Sequence, residues 1–235
     1  FIATSKKNKN VLDVIKVNFI TKNFNQTALS ISLEGHLKNK NCAFQKFTSH
    51  GPLALLPYKE KEASVVWSLK NNSKYLLESD EKILDIIKEI LCDHLEITKL
   101  IDLKKYELHF SHAKKLFYKN AILIGNLAHN IHPIAGQGLN LTIKDIAKLS
   151  TLTSQYRKIG YKINDQSVIE KFNQERKLDN TIYSFGTFTL EGILSSKNKT
   201  LNFLTGYGLD IIQNNNMMKN LFVASATGRK FFKSL

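Results

Sequence analysis

A chain of 235 residues, 43% of them hydrophobic, can bury a sizeable core in one large domain or two small ones and reads as soluble and globular. No apolar run approaches the ~20 residues a membrane-spanning helix needs, and the opening FIATSKKNKN carries no apolar stretch behind its basic part, so neither a membrane helix nor a signal peptide is expected. The net charge is +14, but only Arg157, Arg176 and Arg229 are arginine, so a lysine-rich excess lacks the bidentate donors that nucleic-acid readers lean on, while a basic face toward anionic lipid stays open.

In chain order, Phe1-Ile2-Ala3-Thr4 reads as the tail of a buried strand. Gln26 to Glu34 alternates apolar and polar residues, as do Cys42 to Thr48 and Ala63 to Leu69, the pattern of half-buried antiparallel strands. Pro52 to Tyr58 is more continuously apolar and lies between turn signals, so it is expected to pair between its neighbours. These four strands make a sheet whose inward faces are core. Ser79, followed by Asp80 and Glu81, starts a helix whose stripe of Ile83, Ile86, Ile87, Ile90 and Leu91 should cover that sheet. Cys42 and Cys92, the only cysteines, are too few for a disulfide framework and too far apart for a CxxC motif; both are read as buried or incidental thiols.

Lys105 to Phe110 is a further strand, and Lys114 to Asn120 leads into the stretch that organises the chain, Ala121 to Ser150. Its first four residues are an apolar strand that stops at Gly125-Asn126. Leu139, Thr142, Ile143, Ile146 and Leu149 then recur at three- and four-residue steps, predicting a helix with those residues on its buried face. Between strand and helix, Pro133 has no amide hydrogen, while Gly136 and Gly138 have no Cβ and let another molecule lie against the backbone. The first amides of the helix, near Gly138, Leu139 and Asn140, point back at that loop with roughly +0.5 charge, a site suited to phosphate, carboxylate or reduced flavin. A G-x-G alone would be only a strand-to-helix turn.

Beyond a linker at Lys158 to Asp165, Gln166 to about Gly192 is predicted as one long helix, with Val168, Phe172, Ile182 and Phe185 as packing positions. Glu175, Arg176 and Asp179 read as a solvated or salt-bridged face. Leu201 to Ile212 and Met217 to Ala226 suggest two shorter helices. Their Phe203, Leu204, Leu209, Ile211, Ile212, Met217 and Met218 either cap the core or form an apolar mouth.

The string G-N-x-A-H-x-x-H-P-x-A-G-Q-G-L-N-L from Gly125 resembles the second flavin-binding motif of the class A flavoprotein aromatic hydroxylases. It looks most like the ring hydroxylases of ubiquinone biosynthesis, especially the 2-octaprenyl-6-methoxyphenol hydroxylase type, in which Asn stands at the Asn126 position where the wider family has Asp. FQKFTSHGPLALLP from Phe44 resembles the family's substrate-sheet segment and FNQERKLDN from Phe172 its C-terminal helix, so the likeness covers about residues 1–228.

The resemblance implies a mixed α/β fold, the C-terminal two-thirds of a p-hydroxybenzoate-hydroxylase-like FAD fold. Residues 1–24 and 108–160 would form a partial Rossmann-like FAD-binding domain, 25–107 an antiparallel-sheet substrate domain and 161–235 a C-terminal helical segment. It implies FAD as cofactor, NAD(P)H as electron donor, and hydroxylation of a polyprenylated phenol by dioxygen through a flavin hydroperoxide. By motif, Gly125 belongs to the cofactor-binding turn, Asn126 meets the ribityl chain, Pro133 lies by the ring, and Gly136, Gln137 and Gly138 line it, with Leu139 and Asn140 in the helix start. His129 and His132 are expected to be structural, and no metal site or catalytic side chain is assigned. No G-x-G-x-x-G occurs, so the family's ADP-binding unit would precede residue 1. Its A-D-G-x-x-S motif is matched only in part at Ala3, Ser5, Lys6 and Lys9. The alternative is therefore a truncated, inactive homologue serving as a structural or assembly partner. Location is expected to be cytoplasmic, with a peripheral place at the inner membrane, alone or in a biosynthetic complex, and no nucleic-acid partner.

Overall fold

The computed structural model describes residues 2–3, 9–133, 136–162, 165–194 and 214–226. Its elements are β1 (Ile2–Ala3), α1 (Lys9–Val14), β2 (Phe19–Leu37), β3 (Phe44–Thr48), β4 (Gly51–Pro57), β5 (Glu62–Lys70), α2 (Asp80–Leu91) and β6 (Leu95–Ala113). There follow β7 (Phe117–Tyr118), β8 (Ala121–Ile124), β9 (His129–Asn130), α3 (Gln137–Lys158), α4 (Gln166–Leu194) and α5 (Asn216–Ala226). The result is a mixed α/β protein with an antiparallel sheet. The chain divides into two compact units, residues 23–108 and residues 1–22 with 109–235, and passes between them within β2 and within β6.

In the 23–108 unit, alternation along the strands becomes rows across the sheet. Leu53 and Leu29 flank Trp67, and Leu55 and Ile31 flank Val65, all buried on one face. Ser79 caps α2 by accepting from the Lys82 amide, and Asp80 and Glu81 sit in its first turn, where carboxylates complement the dipole. The helix lays Ile83, Ile87 and Leu91 on that face, with Ile86 and Ile90 partly buried beside them. Each such side chain taken fully out of water stabilises the fold by about 1.5–3 kcal/mol. The opposite face carries Ser30, Ser32, Ser64, Ala54, Val66 and Leu56. Within this unit the strand order is β3-β4-β5-β2-β6, so β4 pairs between its two predicted neighbours.

Two expectations are corrected in this unit. The strand expected only over Lys105 to Phe110 begins ten residues earlier, at Leu95. From Glu96 to Glu107 β6 is mostly exposed and rich in Lys and Glu, features that blunt a sheet edge and hide the period-two pattern. Cys42 and Cys92 are free and exposed, so of the two readings, buried or incidental, only the incidental thiol stands.

In the other unit, β1 runs parallel to β8, with Ile2 beside Leu123 and Ala3 beside Ile124, and β7 pairs antiparallel with β8. Leu123, Leu127, Ala128, Leu149, Leu152, Val168, Ile169 and Phe172 form the core there. The predicted face of α3 is reversed over its first three turns, where Leu139, Ile143 and Ile146 are 69%, 44% and 50% exposed while Leu141, Lys144 and Asp145 are buried; Leu149 is buried as expected, together with Leu152. On α4, Val168 and Phe172 are buried as expected, but Ile182 is 60% exposed, and Phe185 packs only partly, against Phe110 and His112. Of the two readings of Glu175, Arg176 and Asp179 the salt-bridged one holds: Glu175 pairs with Lys148, and Arg176, only 2% exposed, pairs with Asp145 and Asp179. Met217 and Met218 on α5 are exposed and do not cap the core. Ser5, Lys6 and Leu201 to Ile212 lie outside the described residues.

Candidate functional site

β8 delivers the chain to Gly125, whose φ of 68° is a left-handed conformation that non-glycine residues adopt at a cost. A single 3-10 turn, Gly125–Leu127, follows and closes where the Ala128 amide donates to the Gly125 carbonyl at 2.9 Å. β9 then pairs His129 with His112 and Asn130 with Ser111 of β6, and the Asn130 side chain donates to the His109 carbonyl. Ile131 and His132 are buried, Pro133 is exposed, and the Gly136 amide donates back to the Pro133 carbonyl at 2.9 Å.

Gly136 precedes α3 with φ 59° and ψ 18° and gives the helix no side-chain cap. The first amides of α3, from Gln137, therefore open toward the loop without intrahelical acceptors. A Cβ placed on Gly136 would meet nothing within 4 Å, and one on Gly138 would meet only Ile131 Cγ1 at 3.8 Å. Asn126 and Leu139 are exposed, Gln137 and Gly138 half-buried, and the Asn140 side chain donates to Gln137 Oε1. Thr142 lies against Gly125, so the turn after β8 and the second turn of α3 touch. Among the described residues no side chain crowds Gly136 or Gly138: the glycine backbone leaves room for a flat group, and the amides favour an electron-rich one. The residues present fit a flavin.

Beneath the loop lies a buried polar cluster that periodicity did not single out. Asp145, fully buried, accepts from His129 Nε2 at 2.9 Å, from Arg176 Nε at 2.7 Å and from Asn180 Nδ2 at 3.1 and 3.2 Å. Arg176 also donates to Asn180 Oδ1 and to Asp179. At the rim Lys148 pairs with Glu175, and the Lys144 ammonium reaches the Tyr183 hydroxyl at 3.2 Å, so α3 and α4 run antiparallel. His112 rests between the Ser184 and Thr181 hydroxyls; burial, then the neighbouring His129 and Lys177, push its pKa below the usual histidine value. The available signal was a spacing: Asp145 interrupts the apolar series Leu141, Leu149, Leu152, and Arg176 and Asn180 stand four apart. Among the described residues no group of His, Cys, Asp and Glu is placed to hold a metal ion.

A strand that breaks at a left-handed glycine and hands a helix N-terminus to an open loop is the cofactor corner of an α/β nucleotide- or flavin-binding protein. The chain belongs to the FAD binding domain family, whose model matches residues 7–177. It is similar to the mitochondrial ubiquinone biosynthesis monooxygenase COQ6 of Drosophila melanogaster, at 25% identity over 97% of this chain and 55% of that protein. The 3-demethoxyubiquinol 3-hydroxylase of Escherichia coli is 26% identical over 86% of this chain and 52% of its own length. The chain thus spans about half the length of these curated relatives. The fold is shared with the p-nitrophenol 4-monooxygenase PnpA of Pseudomonas putida, with a TM-score of 0.73 at 13% identity, over 96% of this chain and 59% of that one. No helix among the described residues is long and apolar enough to cross a membrane.

Proposed function

We propose that the protein works as a flavin-dependent monooxygenase that hydroxylates a polyprenylated phenol ring in ubiquinone biosynthesis, with FAD as cofactor, NAD(P)H as electron donor and dioxygen as oxidant. The observation that carries this is the open glycine loop at the uncapped start of α3, inside the segment matched by the FAD binding domain model. The names of the ubiquinone hydroxylase relatives support the choice of pathway. When bound, reduced flavin supplies the activation of dioxygen that an aromatic ring cannot achieve alone.

The chain's own residues bind and orient. Gly136 and Gly138 admit the ring face, Gln137, Gly138 and Leu139 offer amides to its negative edge, and Asn140 is held against Gln137 in the same turn. Pro133, which brings no competing donor, and Gly125 with Asn126 would complete the hold on the cofactor. We assign residues 25–107 to the substrate, with the sheet face opposite α2 as the wall for the phenol. The +14 charge supports a peripheral place on an anionic membrane surface, where the prenyl chain resides.

Titrating the purified protein with FAD, following quenching of flavin fluorescence and its visible spectrum, tests the assignment. The wild type should take up one FAD, and Gly138→Leu, which fills the space under the ring, should abolish uptake. Stoichiometric flavin retained by that variant would overturn the placement.

A further inference from the structure

The excursion from Ile131 to Gly136 is tied at its base by one buried hydrogen bond. His129 stands two residues before Ile131, and Asp145 lies about two turns into α3; His129 Nε2 and Asp145 Oδ2 meet at 2.9 Å, with the residues 1% and 0% exposed. An ionised carboxylate only accepts, so Nε2 carries the proton and the tautomer of His129 is set. The remaining capacity of Asp145 is taken by Arg176 and Asn180 of α4, which anchors the carboxylate from the other side. His129 Nδ1 is buried and has no hydrogen-bond partner among the described residues, so no second bond competes for the ring's orientation.

We propose that His129 is a positioning residue: through Asp145 it sets the first turns of α3 against β9, and so presents the helix-start amides at Gln137 to Leu139 to the flavin. This rests on the flavin reading of the loop. The tie is two-ended, because β9 is fixed to β6 by the pairing of His129 with His112 while Asp145 is fixed to α4 by Arg176. Losing the Nε2 donor would free the helix start while leaving the far half of α3 held by Leu149 and Leu152 in the core.

The test compares His129→Met, which keeps bulk but has no donor, with His129→Gln, whose side-chain amide can donate from nearly the same position, both in the full chain. Amide hydrogen exchange at Gly136 and from Leu141 to Asp145 is expected to rise about tenfold or more in His129→Met and to stay within about threefold of wild type in His129→Gln. β8 and Val168 to Phe172 should be unchanged in both. No rise in His129→Met, an equal rise in both variants, or a uniform rise that includes β8 and Val168 to Phe172, would overturn the proposal. The apparent dissociation constant for FAD should follow the same order, about tenfold weaker in His129→Met and close to wild type in His129→Gln. A wild type that takes up no flavin would defeat the cofactor reading, and the exchange data on the free protein would still decide the role of His129.

Discussion

Replacing Arg176 by Met removes a guanidinium that is 2% exposed while keeping most of the volume of its stem. Three bonds disappear: Nε to Asp145 at 2.7 Å, Nη2 to Asn180 at 3.0 Å and Nη1 to Asp179 at 2.6 Å. The last matters little, because the Asp179 side chain is half exposed and is rehydrated, a loss of about 0–1 kcal/mol. The first matters most, because a fully buried carboxylate loses its cation, and breaking such a pair from one side costs about 3–5 kcal/mol. Asp145 keeps His129 and Asn180, so the lower end applies: about 3 kcal/mol, on the order of a hundredfold in the folding equilibrium. The two units can be followed separately in urea. Trp67, the single tryptophan, is buried in the 23–108 unit, whereas most of the described helix lies in α3 and α4. The helical signal of Arg176→Met should lose its structure at about 1–2 M less urea than wild type. In an Asp145→Asn background, where no charge is stranded, the same substitution should cost only about 1 kcal/mol. An unchanged helical transition, or an equal cost in both backgrounds, would refute the account of Asp145 as a charge that depends on Arg176.

Three further outcomes follow from local geometry. A Cβ on Gly35 would stand 2.2 Å from the Glu96 carbonyl oxygen, so Gly35→Ala should push β2 and β6 apart and destabilise the 23–108 unit by about 1–3 kcal/mol, read by Trp67 fluorescence in urea. Ser79→Ala removes the α2 cap, but that bond is long at 3.4 Å, so the loss should be only about 0.5 kcal/mol by the same measurement. His112 has a folded pKa below its unfolded value, so the unfolded chain binds the extra proton. Stability is therefore present above about pH 6.5 and falls as pH drops from there through the lower folded pKa, with a slope of at most about 1.4 kcal/mol per pH unit from this group. His112→Gln should flatten that part of the curve of unfolding free energy against pH; an unaltered curve would mean that His112 does not titrate on unfolding.

β2, β4 and β5 were legible because each has one buried face, and a period of two can report only that arrangement; β3, predicted half-buried, has no fully buried residue. Ser79 with its two carboxylates marked the start of α2 to the residue, since a cap is a local contact. The turn at Gly125 and the loop before α3 were legible for the same reason: left-handed φ and a missing Cβ are properties of single residues. β6 was less so, because along an exposed edge the charged residues answer to solvent and not to the pleat. The parallel pairing of β1 with β8 joins residues more than a hundred positions apart, which no local pattern encodes.

The reversal of α3 has a different cause. Periodicity finds the most apolar stripe of a helix and takes it for the buried one, which holds only while polar groups must face water. Here Asp145, Arg176, Asn180 and His129 satisfy one another, so their burial leaves few lone pairs or donors unpaired and the usual penalty is largely removed. Once that cluster is the contact between α3 and α4, geometry turns Leu139, Ile143 and Ile146 outward, since their mean direction lies roughly 150° around the helix from that of Leu141 and Asp145. The same logic turns Leu178 and Ile182 outward on α4, opposite Arg176 and Asn180. A polar residue inside a three-four apolar series, matched by an Arg and an Asn four apart on a later helix, is thus a better marker of this packing face than hydrophobicity. It also explains why charged residues are buried between α3 and α4: they fix orientation by directed bonds, which an apolar contact of the same area does not supply.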